Sequence, residues 1–198
     1  MIGYRVSAGP AICLEVVRHD GVMASAGEDE RITIRPACSE HLEAIGEMSV
    51  AAYGAGGHLP SGHPYAQVLR DVGSRQDRTL VAEVEGELVG AITLLEPDHP
   101  MCEIATPGER EVRFLAVRSD RWGGGIARTL MAVAEEQAWE QGAEAVVLCV
   151  IESNTRALTF YPRLGYTPLP DRDRSFTASD GSPVHLLAFT KAAPQGVE

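Results

Sequence analysis

Three consecutive glycines, Gly123, Gly124 and Gly125, stand between an apolar run, Glu111 to Val117, and a stretch with apolar residues at helical spacing, Ile126, Leu130, Val133, Ala134 and Ala138. A strand that runs through glycines into a helix leaves the first-turn amides without intrahelical acceptors, with the positive end of the helix dipole behind them. Such a terminus binds phosphate. Glycine lets the backbone approach an anion closely and take up positive φ, and Arg121 and Arg128 can add charge. Two common phosphate loops fit poorly. A Walker loop needs a Lys after its last Gly, and none follows here; a dinucleotide loop spaces its glycines as G-x-G-x-x-G, whereas these are contiguous. Taken alone, the pattern also suits a tightly packed strand-to-helix turn.

The elements that must hold this loop can be read along the chain. Residues 1–30 form an extension with one apolar stretch, Ala11 to Val17, that is either a strand or a tethered arm; Gly27 to Glu30 reads as a linker. Ile32 to Arg35 alternates as a strand, with Pro36 ending it, and Ser39 fits the N-cap of a helix carrying Leu42, Ile45, Met48 and Ala52. A loop from Gly54 to Pro64 and a short helix around Tyr65 to Val72 follow. Thr79 to Glu85 and Leu88 to Leu95, split by Gly86-Glu87, form an antiparallel hairpin. After a loop, Glu96 to Gly108, come the strand Glu111 to Val117, the helix Gly125 to Gln141 and a buried strand Ala145 to Ile151. Ser153 or Asn154 caps the next helix, and Tyr166 to Leu169 and Pro183 to Thr190 make a last pair of strands around the polar loop Asp171 to Ser182. The order predicts one α/β (α+β) domain over 31–192, with a mixed, mostly antiparallel central sheet flanked by helices and a tail at 193–198.

Composition narrows the function classes. Of 198 residues, 28 are Asp or Glu and 17 Lys or Arg, a net charge of −11, so non-specific nucleic-acid binding is excluded as an expectation. That charge suits a cationic acceptor, or simply keeps the protein in solution. No apolar run is long enough to span a bilayer and no signal-peptide layout opens the chain, so the expected location is the cytoplasm. Cys13, Cys38, Cys102 and Cys149 lie far apart and read as reduced thiols. His58, His63, His99 and His185 include no pair at i, i+4, so no metal is expected.

The run Leu115-Ala116-Val117-Arg118-Ser119-Asp120-Arg121-Trp122-Gly123-Gly124-Gly125-Ile126-Ala127-Arg128-Thr129-Leu130-Met131 resembles the acetyl-CoA motif of the GNAT superfamily of N-acetyltransferases, whose core is [Q/R]-x-x-G-x-[G/A]. Gly125 and Ala127 occupy its last two fixed places, and Trp122 stands where the family usually has Gln or Arg. Farther on, Asn154-Thr155-Arg156-Ala157-Leu158-Thr159-Phe160-Tyr161-Pro162-Arg163-Leu164-Gly165-Tyr166 is similar to the family's N-x-x-A-x-x-[F/L]-Y-x-x-x-G-[F/Y] helix. The resemblance covers about residues 32–190. It implies that acetyl-CoA, as cosubstrate, is bound by Leu115, Ala116, Val117, Arg121, Trp122, Gly123, Gly124, Gly125, Ile126, Ala127 and Arg128, that Asn154 helps to hold the CoA arm, and that Tyr161 faces its sulfur. It also implies a splayed strand exposing amides near Leu115 and Val117 to the thioester oxyanion.

Acetyl transfer needs a deprotonated amine, a stabilised oxyanion and a proton for the departing thiolate. Glu111 matches the place where some family members carry a general base; the competing reading is a carboxylate paired with Arg113 or Arg110. Tyr161, protonated at neutral pH, is the candidate acid; without its flanking motif it reads as a core aromatic on the stripe Leu158, Tyr161, Leu164. Cys149 reads as an apolar filler, so direct transfer is expected rather than an acyl-enzyme. The leading expectation is acetylation of a primary amine of a small molecule or peptide, its pocket walled by residues 54–73, 96–110 and 170–182, whose Glu96, Asp98, Glu103 and Asp171 suit a cation. The alternatives are a non-catalytic acyl-CoA-binding regulatory module and a metabolic regulator acting through protein contacts, with residues 1–30 mediating formation of a homodimer.

Overall fold

The computed structural model describes residues 3–7, 13–17, 31–178 and 181–194. The chain divides into two compact units, Met1–Thr93 with Phe114–Val133, and Leu94–Arg113 with Ala134–Glu198. The expected linker at 27–30 and most of the expected tail lie outside the described residues.

In the first unit, β1 (Gly3–Ser7) pairs antiparallel with β2 (Cys13–Val17), and β2 with β3 (Ile32–Pro36). Of the apolar stretch Ala11 to Val17, Cys13–Val17 is thus a strand, and the first two residues lie outside the described ones. β3 pairs with β4 (Thr79–Val84), and β4 with β5 (Glu87–Leu95). The turn between these last two is Glu85-Gly86, one residue earlier than expected, with φ of 53° and 80°. Two left-handed residues match the twist of the flanking strands. The second half of β6 (Glu109–Val117) lies next to β5.

Helix α1 (Leu42–Ala55) places Ile45, Met48 and Ala52 in a core with Val72, Val81, Ala91 and Ala116, below the short α2 (Tyr65–Arg70). Ser39 is not the cap: residues Ser39–His41 form a 3-10 turn entered through Cys38, whose N–H donates to Nδ1 of His41 at 2.9 Å. The His41 side chain, three residues after Cys38, thus reaches back to the amide of the capping residue. Helix α3 (Ile126–Glu140) lies close over Gly90 of β5, where a Cβ would meet Ile126 Cγ2 and Leu130 Cδ1 at 3.0 Å. Glycine there lets helix and strand approach.

In the second unit, Glu109–Glu111 of β6 pair parallel with the start of β7 (Ala145–Ile151). Strand β7 pairs antiparallel with β10 (Pro183–Ala192), which also takes β8 (Thr167–Pro168) and β9 (Arg174–Thr177). Strand β9 falls inside the expected polar loop. All four of its residues are exposed, so no in-out alternation marked it. Helix α4 (Thr155–Phe160) is capped by Asn154, whose Oδ1 accepts from the Ala157 amide at 3.0 Å, and Gly165, at φ 90°, ends the turn beyond it. Lys191, the single lysine of the chain, pairs with the buried Glu135 at 2.5 Å.

Candidate active site

The glycine loop belongs to the first unit. A single 3-10 turn, Ser119–Arg121, follows β6; Trp122 is extended, Gly123 and Gly125 take φ of 86° and 78°, and α3 begins at Ile126. Both left-handed positions fall on glycines, where no Cβ opposes them. Gly123 and Gly124 are exposed, as is Arg128. Two exposed glycines and a cationic side chain therefore flank the start of a fifteen-residue helix.

Trp122 turns its indole inward, and Nε1–H donates to the Val117 carbonyl at 2.8 Å. The side chain that stands in place of the family's Gln or Arg thus ties the loop to the end of its strand. Arg118 is held by Asp120 at 2.6 Å and Glu87 at 3.1 Å, and those carboxylates raise its pKa.

The strand entering this loop is broken at Phe114, whose φ is +55°. Only Glu85 shares such a conformation among the described non-glycine residues. A β-rich strand cannot continue its pleat through a left-handed residue, so the following segment, Leu115, Ala116 and Val117, is redirected. The resemblance implies a splay near Leu115 and Val117; the left-handed residue is the one before them.

Glu111 lies in the second unit and is 1% exposed. Its Oε2 accepts from the amides of Glu103 at 2.5 Å and Ile104 at 2.9 Å and from Cys102 Sγ at 3.1 Å. Arg113 Nε stands 3.9 Å from Oε1, while Arg110 goes to the Glu109 carbonyl and to Gln141. The carboxylate thus holds the loop before β6 and also forms a long ion pair with Arg113, one of the two partners named by the competing reading. That loop is fixed again by Arg172, which donates to the Ile104 carbonyl at 3.1 Å and to Glu109 at 2.5 Å. Glu103 was expected to suit a cationic acceptor, but Arg113 at 2.7 Å and Arg174 at 2.6 Å already neutralise it.

Tyr161 is buried against Phe160, Tyr166 and Phe189, with ring centroids 5.2, 5.7 and 6.5 Å away. Desolvation raises its pKa, so it stays a neutral hydrogen-bond donor. Burial pushes the Cys149 thiol up to about 12, with the charges of Glu111 and Glu103 adding to the effect. Cys102 is pushed up to about 11 by burial and its hydrogen bond to Glu111. Both shifts disfavour the thiolate, the nucleophilic form of cysteine. Two features carried no recognised signal: buried Arg75, and the group of Cys38, His41, Arg35 and Glu83, in which His41 Nδ1 lies 3.3 Å from Cys38 Sγ. Among the described residues there is no cluster of three or more metal-ligating side chains, and no helix is long and apolar enough to cross a membrane.

The family model for the acetyltransferase (GNAT) family matches residues 43–166. The chain belongs to this family. It is accordingly an acyltransferase, and the glycine loop, the break at Phe114, Asn154 and Tyr161 all fall within or beside the matched span. This acetyltransferase is 29% identical over 107 residues to an acetyltransferase of Pectobacterium atrosepticum, covering 54% of this chain and 70% of that one. Its fold is that of the ribosomal-protein-alanine N-acetyltransferase from Brucella melitensis, with a TM-score of 0.61 and 22% identity over 81% of this chain and 99% of the other. It is also similar in fold to the PaiA N-acetyltransferase from Thermoplasma acidophilum in complex with coenzyme A, with a TM-score of 0.61 and 20% identity over 82% and 99% of the two chains.

Proposed function

We propose that this acetyltransferase moves the acetyl group of acetyl-CoA directly to a primary amine of a small molecule or peptide. The observation that carries the reading is the pairing, on one strand-loop-helix, of a left-handed break at Phe114 with an exposed glycine loop opening α3. The first feature frees amides to polarise a carbonyl; the second receives a pyrophosphate. Two solved relatives in fold carry CoA or acetyl-CoA, the PaiA enzyme and yncA from Salmonella typhimurium, which supports acetyl-CoA as the cosubstrate.

The amides of Gly123, Gly124, Gly125, Ile126 and Ala127 bind the pyrophosphate, with Arg121 and Arg128 adding charge and Trp122 fixing the loop. The backbone of Leu115, Ala116 and Val117 lies along the acetyl arm and donates to the thioester oxygen, and Asn154 contributes a side-chain contact to CoA. The neutral amine attacks the carbonyl carbon, the C–S bond breaks, and Tyr161 gives its proton to the thiolate. The amine's surplus proton leaves to Glu111 or to water. High thiol pKa values at Cys102 and Cys149 support attack by the amine itself over an acetyl-cysteine route. The acceptor class is supported by the fold relative whose name specifies a ribosomal-protein alanine.

The test is calorimetric titration with acetyl-CoA, then thiol release across a panel of amines: amino acids, polyamines, peptide N-termini and lysyl peptides. Binding with amine-dependent thiol release is expected. Tight binding with no release by any amine would instead indicate a regulatory acyl-CoA-binding module.

A further inference from the structure

Arg75 sits in the 3-10 segment Gly73–Arg78 at a kink, with φ −136° and ψ 16°, and is 1% exposed. Its guanidinium donates through Nη1 to the Val68 carbonyl at 3.0 Å and to the Asp71 carbonyl, and through Nη2 to the Leu69 carbonyl at 2.9 Å. These are carbonyls at and just past the C-terminal end of α2. The guanidinium carbon also lies 4.0 Å from the centroid of the Phe114 ring. The backbone of Arg75 is anchored in turn, because its carbonyl accepts from the Thr79 hydroxyl at 2.8 Å, and that hydroxyl lies 2.9 Å from the hydroxyl of Thr93.

A buried guanidinium is costly unless its donors find acceptors, and here the two terminal nitrogens meet three carbonyls in a planar fork that a lysine cannot reproduce. A non-glycine residue in the left-handed region is strained and persists only where its surroundings enforce it. Here the two meet: the cation lies on the face of the strained residue's ring, in a desolvated setting where such contacts are strongest.

We propose that Arg75 is a positioning residue for acetyl transfer. It holds the Phe114 ring so that the backbone keeps its left-handed turn, and it makes the placement of the amides after Phe114 depend on α2 and the loop before it. The proposal rests on the reading that amides at Leu115 to Val117 polarise the thioester. It assigns Arg75 no contact with either substrate.

The experiment uses the full chain with Arg75→Lys, Phe114→Leu and the double variant. Lysine keeps the charge but cannot reproduce the fork. Each single change is expected to lower kcat about 10- to 100-fold, the range for misplacement of reacting groups. The Kd for acetyl-CoA should stay within about twofold, and the double variant should be no slower than the slower single one. Hydrogen exchange at the amides of Leu115, Ala116 and Val117 should accelerate in both single variants. Native turnover and native exchange in folded Arg75→Lys, losses that multiply in the double variant, or a parallel fall of turnover and CoA affinity would each overturn the assignment. Should Arg75→Lys not fold, the exchange of those three amides in Phe114→Leu decides, and unchanged exchange rejects the proposal. Exchange requires no acceptor, so failure to find an amine substrate counts against the proposed function and leaves this readout intact.

Discussion

The indole N–H of Trp122 donates to the carbonyl of Val117 at 2.8 Å, joining the last residue of β6 to the residue before the glycines. This contact closes the segment that carries Ser119 to Arg121 and sets where Gly123 to Gly125 present their amides. In the family motif this place usually holds a polar side chain that reaches the pyrophosphate. Here the residue acts on the loop, and under the proposed function the backbone amides, with Arg121 and Arg128, bind the anion.

Trp122→Phe keeps the ring and removes the donor. One hydrogen bond contributes about 0.5–1.5 kcal/mol net, so the Kd for acetyl-CoA should rise about 2- to 10-fold while saturated turnover stays within about twofold. Calorimetry and initial rates check this. An unchanged Kd would show that the loop holds its shape without the indole.

Glu111→Gln separates two roles for the same carboxylate. The amides of Glu103 and Ile104 and the Cys102 thiol all donate to one oxygen of a side chain that is 1% exposed. Glutamine keeps an acceptor but loses the charge that strengthens those bonds, so stability should fall by about 1–3 kcal/mol in urea unfolding. If the residue only fixes the loop, the pH dependence of kcat/KM keeps its acid limb in the folded variant. Loss of that limb, with turnover reduced about 100-fold or more, would make Glu111 the base.

The glycine loop and the Asn154 to Tyr166 segment were legible because their chemistry lies in local spacing: glycines at a helix start, a cap three residues before the amide it accepts from. The break at Phe114 was implied by resemblance but could not be located, since nothing in the residue type favours a left-handed Phe; neighbours such as Arg75, 39 positions away in sequence, surround it. Nothing in the polar run Gly73-Ser74-Arg75-Gln76-Asp77-Arg78 marks Arg75 as a buried residue. Its burial accompanies a kink at which the side chain meets the carbonyls at the C-terminal end of α2. The neutralisation of Glu103 was equally non-local, because one partner, Arg174, comes from a strand that exposed residues kept from view.

Direct transfer makes a prediction about both thiols near Glu111. With the pKa of Cys149 at about 12 and that of Cys102 at about 11, the thiolate fraction at pH 7 is about 10⁻⁴ or less for either. Acetyl-CoA without an amine should therefore leave no acetyl adduct on the intact protein by mass spectrometry, and Cys149→Ala should retain turnover within about threefold. A stoichiometric acetyl-cysteine formed on mixing would establish the two-step route instead.

Tyr161 offers the last separation of chemistry from packing. Burial raises its pKa above that of a free phenol, so no descending limb of kcat below about pH 10 should arise from its ionisation. Tyr161→Phe keeps the ring contacts with Phe160, Tyr166 and Phe189 and removes the proton donor. Turnover should fall about 100-fold with acetyl-CoA affinity nearly unchanged. The same raised pKa fixes the sign of an alkaline effect on stability. The phenol stays neutral in the folded chain but ionises in the unfolded chain near pH 10, so its stabilising contribution is complete below that pH and is lost as pH rises toward the folded value. Tyr166, also raised by burial, adds to this. Urea midpoints measured from pH 8 to 11 should decline less steeply in Tyr161→Phe than in the parent. An equal decline would mean that Tyr161 ionises alike in both states, and parallel losses of turnover and CoA affinity would reduce the residue to a core aromatic.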